Sequence, residues 1–284
     1  MTQVVAVIGL GTMGAGIVEV CLASGHDVLA YDGFPAARET GLARVAKGFA
    51  RRVEKETMSQ ADADAALARL TGVETLPDLQ SADIVIEAVA ELPDVKHALF
   101  RELGELMQPD AILATNTSAI SVTGIAEASG RPDRVVGLHF FNPAPVMKLV
   151  EVVRTALVDP QVYAEAIEFA EGLDKEAVPC PDTPGFLVNR VLVPMLNDAV
   201  RTLVETGADP VDLDRALKAG AGWPMGPLAL IDLIGVDVQM HAAQAIADGL
   251  GDEHYAPHPL LAEMVGEGRL GRKSGAGFHT YESR

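Results

Sequence analysis

The chain is short of several things, and each shortage excludes a class of protein. It has only two cysteines, Cys21 and Cys180, in 284 residues. Two thiols cannot build a disulfide framework, and no Cys/His cluster has zinc spacing, so a reducing, cytoplasmic setting without a metal site is expected. Basic residues are scarce: 22 Lys and Arg stand against 40 Asp and Glu, a formal net charge of −18. So acidic a surface repels nucleic acid and anionic membrane, and neither is expected as a partner. There is no long apolar segment, which argues against a membrane span. The apolar start, Val4–Ile8, lacks a basic lead and runs straight into glycines, so it reads as a first strand rather than a secretory leader. Internal repeats and low-complexity stretches are also missing.

What is present is core material. Hydrophobic residues make up 49% of the chain, which rules against disorder, and 284 residues suit two domains better than one core. Directly after the first apolar run comes Gly9-Leu10-Gly11-Thr12-Met13-Gly14, then a helical stretch over 15–23 and a second apolar run, 28–31, ending at Asp32. This is a strand, glycine turn, helix and strand with an acid 18 residues beyond Gly14. The spacing has a physical purpose. Gly9 makes the tight turn, Gly11 lets the backbone approach a pyrophosphate, and Gly14 lets the helix pack close on the strand. The helix N-terminus offers N–H groups to the anion, and Asp32 can bind ribose hydroxyls. Asp32 would repel a 2′-phosphate and no arginine follows it directly, so NAD is expected over NADP; Arg38 is the residue that could reverse that preference. The alternative is a glycine turn in an ordinary α/β unit.

Further apolar runs at 84–89, 112–115, 135–141 and 148–153 alternate with helical stretches. They predict a doubly wound, mostly parallel sheet with its ligand at the carboxyl ends of the strands, where Glu91, Ser118 and His139 fall. Within residues 137–153, GLHFFNPAPVMKLVEVV, a turn carrying Pro143 and Pro145 can fold the run containing Glu151 back beside His139. A buried carboxylate beside a histidine fixes its tautomer and stabilises the imidazolium formed when the ring takes a proton. Taken alone, His139 reads as a core or capping residue. Glu151 between valines is the stronger clue, because burying an unpaired carboxylate is costly. Ser118 also suits a turn or helix cap. A proton acceptor beside a hydride acceptor is the equipment of an alcohol dehydrogenase. The remaining histidines, His26, His97, His241, His254, His258 and His279, have no constellation and are given no role.

Arg44, Lys47, Arg51 and Lys55 recur at helical spacing and form one stripe, with Val45, Phe49 and Val53 on a second. The stripe suits recognition of a polyphosphate; equally, it can be a solvated face pairing with Glu54 and Glu56. Three prolines and a glycine within 178–185 mark a boundary, and we expect domains over 1–182 and 183–284. Beyond it the pattern is helical only. The helix predicted over 186–206 is apolar nearly all round, which requires burial on several sides and suggests a domain core joined to a subunit interface. Asn189, near its start, either caps a neighbour or faces a site. Asp209-Pro210 begins another helix, and a further one is predicted over about 228–249.

With these residues in hand, the chain resembles the 3-hydroxyacyl-CoA dehydrogenases, most nearly the bacterial 3-hydroxybutyryl-CoA branch. The markers, spread over essentially the whole chain, are VIGLGTMGAGI, EAVAEL followed by Lys96, LATNTSAISVTGIA, RPDRVVGLHFFNPAPVMKLVEVV, DTPGFLVNR, GPLALIDLIGVD and GRKSGAGF. The resemblance implies a Rossmann-type NAD domain followed by an all-helical C-terminal domain that serves the substrate cleft and dimerisation. It implies that His139 is the catalytic histidine and Glu151 its partner, and that Ser118 and Asn189 bind the reacting oxygen and carbonyl region. Asn142 matches the asparagine beside that histidine and is expected at the cofactor with Gly9, Gly11, Thr12, Met13, Gly14, Asp32, Glu91, Lys96 and Ser118. The family holds its CoA phosphates in the region of the basic helix, which makes Arg51, Arg52 and Lys55 the expected contacts. The implied substrate is an acyl-CoA and the implied assembly a homodimer. Gly33-Phe34-Pro35 departs from the family's more polar stretch after Asp32. A dehydrogenase of free hydroxy acids, gulonate-type, keeps the fold and NAD but is opposed by the HFFNP block and the basic helix. A non-catalytic nucleotide-binding protein is opposed by the intact His139, Glu151, Ser118 and Asn189 set.

Overall fold

The computed structural model describes residues 2–281. It divides into two compact units, Met1–Thr183 and Pro184–Arg284. In chain order the first unit contains β1 (Val4–Ile8), α1 (Thr12–Ala23), β2 (Asp27–Tyr31), α2 (Pro35–Glu54), α3 (Gln60–Leu67), β3 (Leu70–Gly72), β4 (Ile84–Glu87), α4 (Pro93–Leu106), β5 (Ile112–Thr115), α5 (Val122–Ala128), β6 (Val135–Phe140), β7 (Leu149–Arg154), α6 (Pro160–Gly172) and β8 (Glu176–Pro181). The strands form one sheet in the order β3-β2-β1-β4-β5-β6-β7-β8. The first six are mutually parallel, β7 runs antiparallel to β6, and β8 runs parallel to β7. Central strands covered by helices on both faces must be apolar throughout, and every residue of β4, β5 and β6 is buried. The order 3-2-1-4-5-6 is that of a dinucleotide fold, with its crevice at the carboxyl ends of the strands.

Two strands escape the sequence pattern. β3 is only three residues long. β8 carries Pro179 and Pro181 and reads as a linker, yet it pairs with β7 along six residues. Proline is tolerated there because β8 is the sheet edge, where one row of N–H groups has no ladder to join.

The second unit contains α7 (Val188–Thr206), α8 (Pro210–Ala221), α9 (Pro227–Ile234), α10 (Val236–Leu250) and α11 (Pro259–Gly266). The helix expected over 186–206 begins two residues later, because Gly185 and Phe186 both take positive φ, +80° and +48°, which no right-handed helix accommodates. The single helix expected over about 228–249 is two helices, broken at Gly235 with φ +114°. α7 buries Val193, Leu196, Val200 and Leu203 on one stripe, where Leu196, Val200 and Leu203 meet Leu213, Leu228, Ile231, Leu261 and Met264. Val191 and Met195, one turn apart, are instead 60% and 43% exposed. Buried Asp232 accepts hydrogen bonds from Phe278 N, His279 N and the Tyr281 hydroxyl, pinning the last described segment to α9.

Candidate active site

The glycine turn lies where β1 meets α1. Gly9 has φ +90°, and a Cβ there would come within 2.7 Å of the Ala88 carbonyl oxygen. A Cβ on Gly14 would sit 1.7 Å from the Gly9 oxygen, so the helix packs against the turn at a distance only glycine permits. Gly11, by contrast, opens on space: nothing lies within 4 Å of the Cβ it lacks. It is also the N-cap of α1 and offers no side-chain cap, leaving the first-turn amides of Thr12, Met13 and Gly14 without an intrahelical acceptor. Bare helix amides behind an open glycine surface fit a pyrophosphate. Asp32 follows β2 and accepts from Leu10 N at 2.8 Å and Phe34 N at 3.0 Å, which fixes its carboxylate against the turn. Arg38 is drawn to Glu74 at 3.6 Å, and its side chain is only 16% exposed.

His139 and Glu151 are directly opposite one another in the antiparallel β6/β7 register. His139 Nδ1 and Glu151 Oε2 are 2.7 Å apart, the histidine 6% exposed and the glutamate fully buried. Phe141 packs against the imidazole, ring centres 4.5 Å apart. The sequence did not single out Asn116, yet its side-chain oxygen accepts from Phe140 N at 2.9 Å and its own N–H reaches Glu87 O. It thereby ties the end of β5 to β4 and to the residue after His139.

Ser118 stands just past β5. Its N–H donates to Glu91 at 2.8 Å, and its hydroxyl lies 3.3 Å from the same oxygen. Glu91 also accepts from the Thr117 hydroxyl and Ala119 N, and pairs with Lys96 at 3.3 Å. Lys96 is buried, with its ammonium 2.6 Å from fully buried Glu87. Its charge is therefore spent on two carboxylates, and it reaches the surface through Glu91. Removing one partner of such a buried pair costs about 3–5 kcal/mol. Glu87 was legible in principle: like Glu151, it is an acid within an apolar run.

A cavity of about 880 Å³ opens within the first unit between α1, α2 and the turn after β6. Arg44, Lys47, Arg51, Arg52 and Lys55 all line it, joined by Lys148 and Lys175, which the sequence did not single out. Among the described residues none of these first five cations makes an ion pair within 4.0 Å, with Glu54, Glu56 or any other acid. Lys175 donates to the carbonyls of Ala144 and Met147 at 2.7 and 2.8 Å, holding the turn in place. Burial first, then the neighbouring Lys148, lower its ammonium pKa. Glu19 also lines the cavity; burial raises its carboxyl, and Arg52 partly opposes that rise. Asn142 is exposed and lines the same cavity, as does Thr12.

Asn189 is the second residue of α7, half-buried, in the other unit. Three histidines without an assigned role have structural ones. His279 pairs with Asp214 at 2.8 Å, His258 caps α11, and His26 accepts from Gln3 N.

Comparison with known proteins places the chain among the NAD-dependent dehydrogenases. The description "3-hydroxyacyl-CoA dehydrogenase, NAD binding domain" matches residues 4–183, and "3-hydroxyacyl-CoA dehydrogenase, C-terminal domain" matches 185–281. The chain belongs to the 3-hydroxyacyl-CoA dehydrogenase family. It is 42% identical to a probable 3-hydroxybutyryl-CoA dehydrogenase of Bacillus subtilis, covering 99% of this chain and 98% of that one. It is 41% identical to the 3-hydroxybutyryl-CoA dehydrogenase of Bradyrhizobium diazoefficiens, covering 98% and 94%. The crystal structure of (S)-3-hydroxybutyryl-CoA dehydrogenase from Ralstonia eutropha superposes with a TM-score of 0.96 at 39% identity, covering all of both chains. No helix among the described residues is long and apolar enough to cross a membrane.

Proposed function

We propose that this protein interconverts (S)-3-hydroxyacyl-CoA and 3-oxoacyl-CoA with NAD, the preferred pair being 3-hydroxybutyryl-CoA and acetoacetyl-CoA. The observation that carries the reading is the 2.7 Å contact between His139 Nδ1 and buried Glu151 at the strand ends. With Nδ1 held by a carboxylate, proton exchange with substrate falls to Nε2. In oxidation His139 removes the hydroxyl proton as C3 releases its hydride, and Glu151 offsets the positive charge that develops on the ring. NAD, when bound, supplies the acceptor for that hydride. In reduction His139 returns the proton to the oxygen. Ser118 and Asn189 hold the reacting oxygen and the thioester region, where small misplacements reduce rate heavily. The glycine turn, with Thr12 and Met13, takes the pyrophosphate and Asp32 the ribose, while Asn142 and Glu91, the latter backed by buried Lys96, complete the nucleotide side. The cations along and just beyond α2, with Arg51, Arg52 and Lys55 foremost, take the CoA phosphates.

Fixed Asp32 and an Arg38 engaged by Glu74 favour NAD over NADP. The exposed Val191 and Met195 on α7 support a homodimer. Two buried cysteines support a cytoplasmic, reducing setting.

The test is the initial rate of reduced-cofactor consumption by purified protein. Acetoacetyl-CoA with NADH should turn over rapidly, and NADPH or free acetoacetate should do so poorly. Preference for free acetoacetate would move the protein to the hydroxy-acid dehydrogenases. No turnover in protein that binds NADH would favour a non-catalytic role.

A further inference from the structure

Glu87 is a fully buried acid for which the proposed proton transfer has no use, and its partners form a closed circuit. Glu87 and Thr115 are paired residues at the ends of β4 and β5, and the Thr115 hydroxyl donates to Glu87 Oε2 at 2.7 Å. Glu87 Oε1 receives Lys96 Nζ at 2.6 Å and Val89 N at 2.7 Å. Lys96 reaches on to Glu91 Oε2 at 3.3 Å, and Glu91 Oε1 accepts the Thr117 hydroxyl at 2.6 Å. Thr117 N returns to the Thr115 hydroxyl at 3.3 Å, closing a ring of five residues. Only Glu91 reaches the surface, with a side chain 37% exposed, while Lys96 and Glu87 are at 1% and 0%. Glu91 lies on the loop after β4, beside the strand that carries the glycine turn. The same carboxylate oxygen holds Ser118 N, Ser118 Oγ and Ala119 N on the loop after β5. One side chain thus joins the loop on the nucleotide side to the serine on the substrate side, backed from beneath by the buried ring while its own outer part stays exposed.

We propose that this ring couples the two binding events: NAD on the β1/β4 side orders Glu91, and Glu91 presents Ser118 to the acyl-CoA, with Glu87 as the buried positioning residue. The inference rests on the reaction proposed above. Coupling between sites is reciprocal, so acyl-CoA must tighten NAD by the factor with which NAD tightens acyl-CoA. A ring that merely held the fold together would change stability and leave that factor alone. Networks of this kind are apportioned by removing one member at a time.

The experiment is calorimetric titration of acetoacetyl-CoA into the full chain with and without saturating NAD⁺, two oxidised ligands that cannot react with one another. In the wild type NAD⁺ should tighten acetoacetyl-CoA about tenfold, within the usual range for coupled sites. In Glu87→Gln the factor should fall below about twofold, while each ligand alone moves by less than about threefold. Thr115→Val opens the ring yet leaves Lys96 between both carboxylates, so it should fold even if Glu87→Gln does not, and it should lose the coupling too. A wild-type factor near one, or the full factor kept in Thr115→Val, overturns the inference. Failure of the wild type to reduce acetoacetyl-CoA with NADH would overturn the reaction and this inference together; normal turnover with an unmoved factor overturns this inference alone.

Discussion

Glu91 shows how a single side chain sets a pH limit. Burial by itself would raise its carboxyl, but the Lys96 ammonium, the Thr117 hydroxyl and the N–H groups of Ser118 and Ala119 outweigh it and hold the group below its ordinary value. A carboxylate lowered in the folded state contributes stability in full above its unfolded value of about 4.3, and loses it as the pH falls through the lower folded value. Urea midpoints measured from pH 7 to pH 3 should therefore drop more steeply in the wild type than in Glu91→Gln. Parallel acid limbs would remove Glu91 from the account. At this scale the sequence was readable where a residue contradicted its surroundings. Glu151 between valines demanded a partner, and the opposite residue in the sheet is His139. Glu87 presented the same contradiction, but its partners Lys96 and Thr115 lie 9 and 28 residues away, and nothing local marks them. Lys175 was hidden for a different reason: its acceptors are backbone carbonyls, which any sequence supplies.

At the scale of elements, periodicity located the buried strands well, because strands covered on both faces are unbroken apolar runs. It failed where chain geometry overrides composition. Proline-rich β8 survives as an edge, and apolar periodicity runs unbroken across Gly235, where the backbone turns out of the helix. α2 is the element whose two faces periodicity separates most clearly. Its Val45 and Phe49 are buried under the sheet, and its cations face one cavity. If that cavity takes the CoA phosphates, replacing Arg51 and Lys55 together by Ala should raise KM for acetoacetyl-CoA by about tenfold or more. KM for the pantetheine thioester, which lacks the nucleotide phosphates, should stay near its wild-type value. Equal shifts for both substrates would take the phosphates out of the cavity.

For the whole molecule, the net charge of −18 and an anionic substrate pull in opposite directions. Seven cations, five of them from 44–55, line one cavity, where a local positive field can oppose the global negative one. The second unit poses the other whole-molecule question. The sequence marked this helix as apolar nearly all round and so in need of burial on several sides, and Val191 and Met195 on α7 are left exposed. Sedimentation should give twice the chain mass for the wild type, and Val191→Glu should shift the equilibrium toward monomer. A wild-type monomer, or a variant that stays dimeric with unchanged affinity, would place the interface elsewhere.

The central claim is that His139, held by Glu151, moves the proton while NAD takes the hydride. The most direct test is the rate of acetoacetyl-CoA-dependent NADH oxidation by His139→Gln beside the wild type, with NADH binding measured on both. General acid–base catalysis of this kind contributes about 100-fold or more, so the variant should bind NADH normally and turn over slower by at least that factor. Turnover near the wild-type rate would contradict the account.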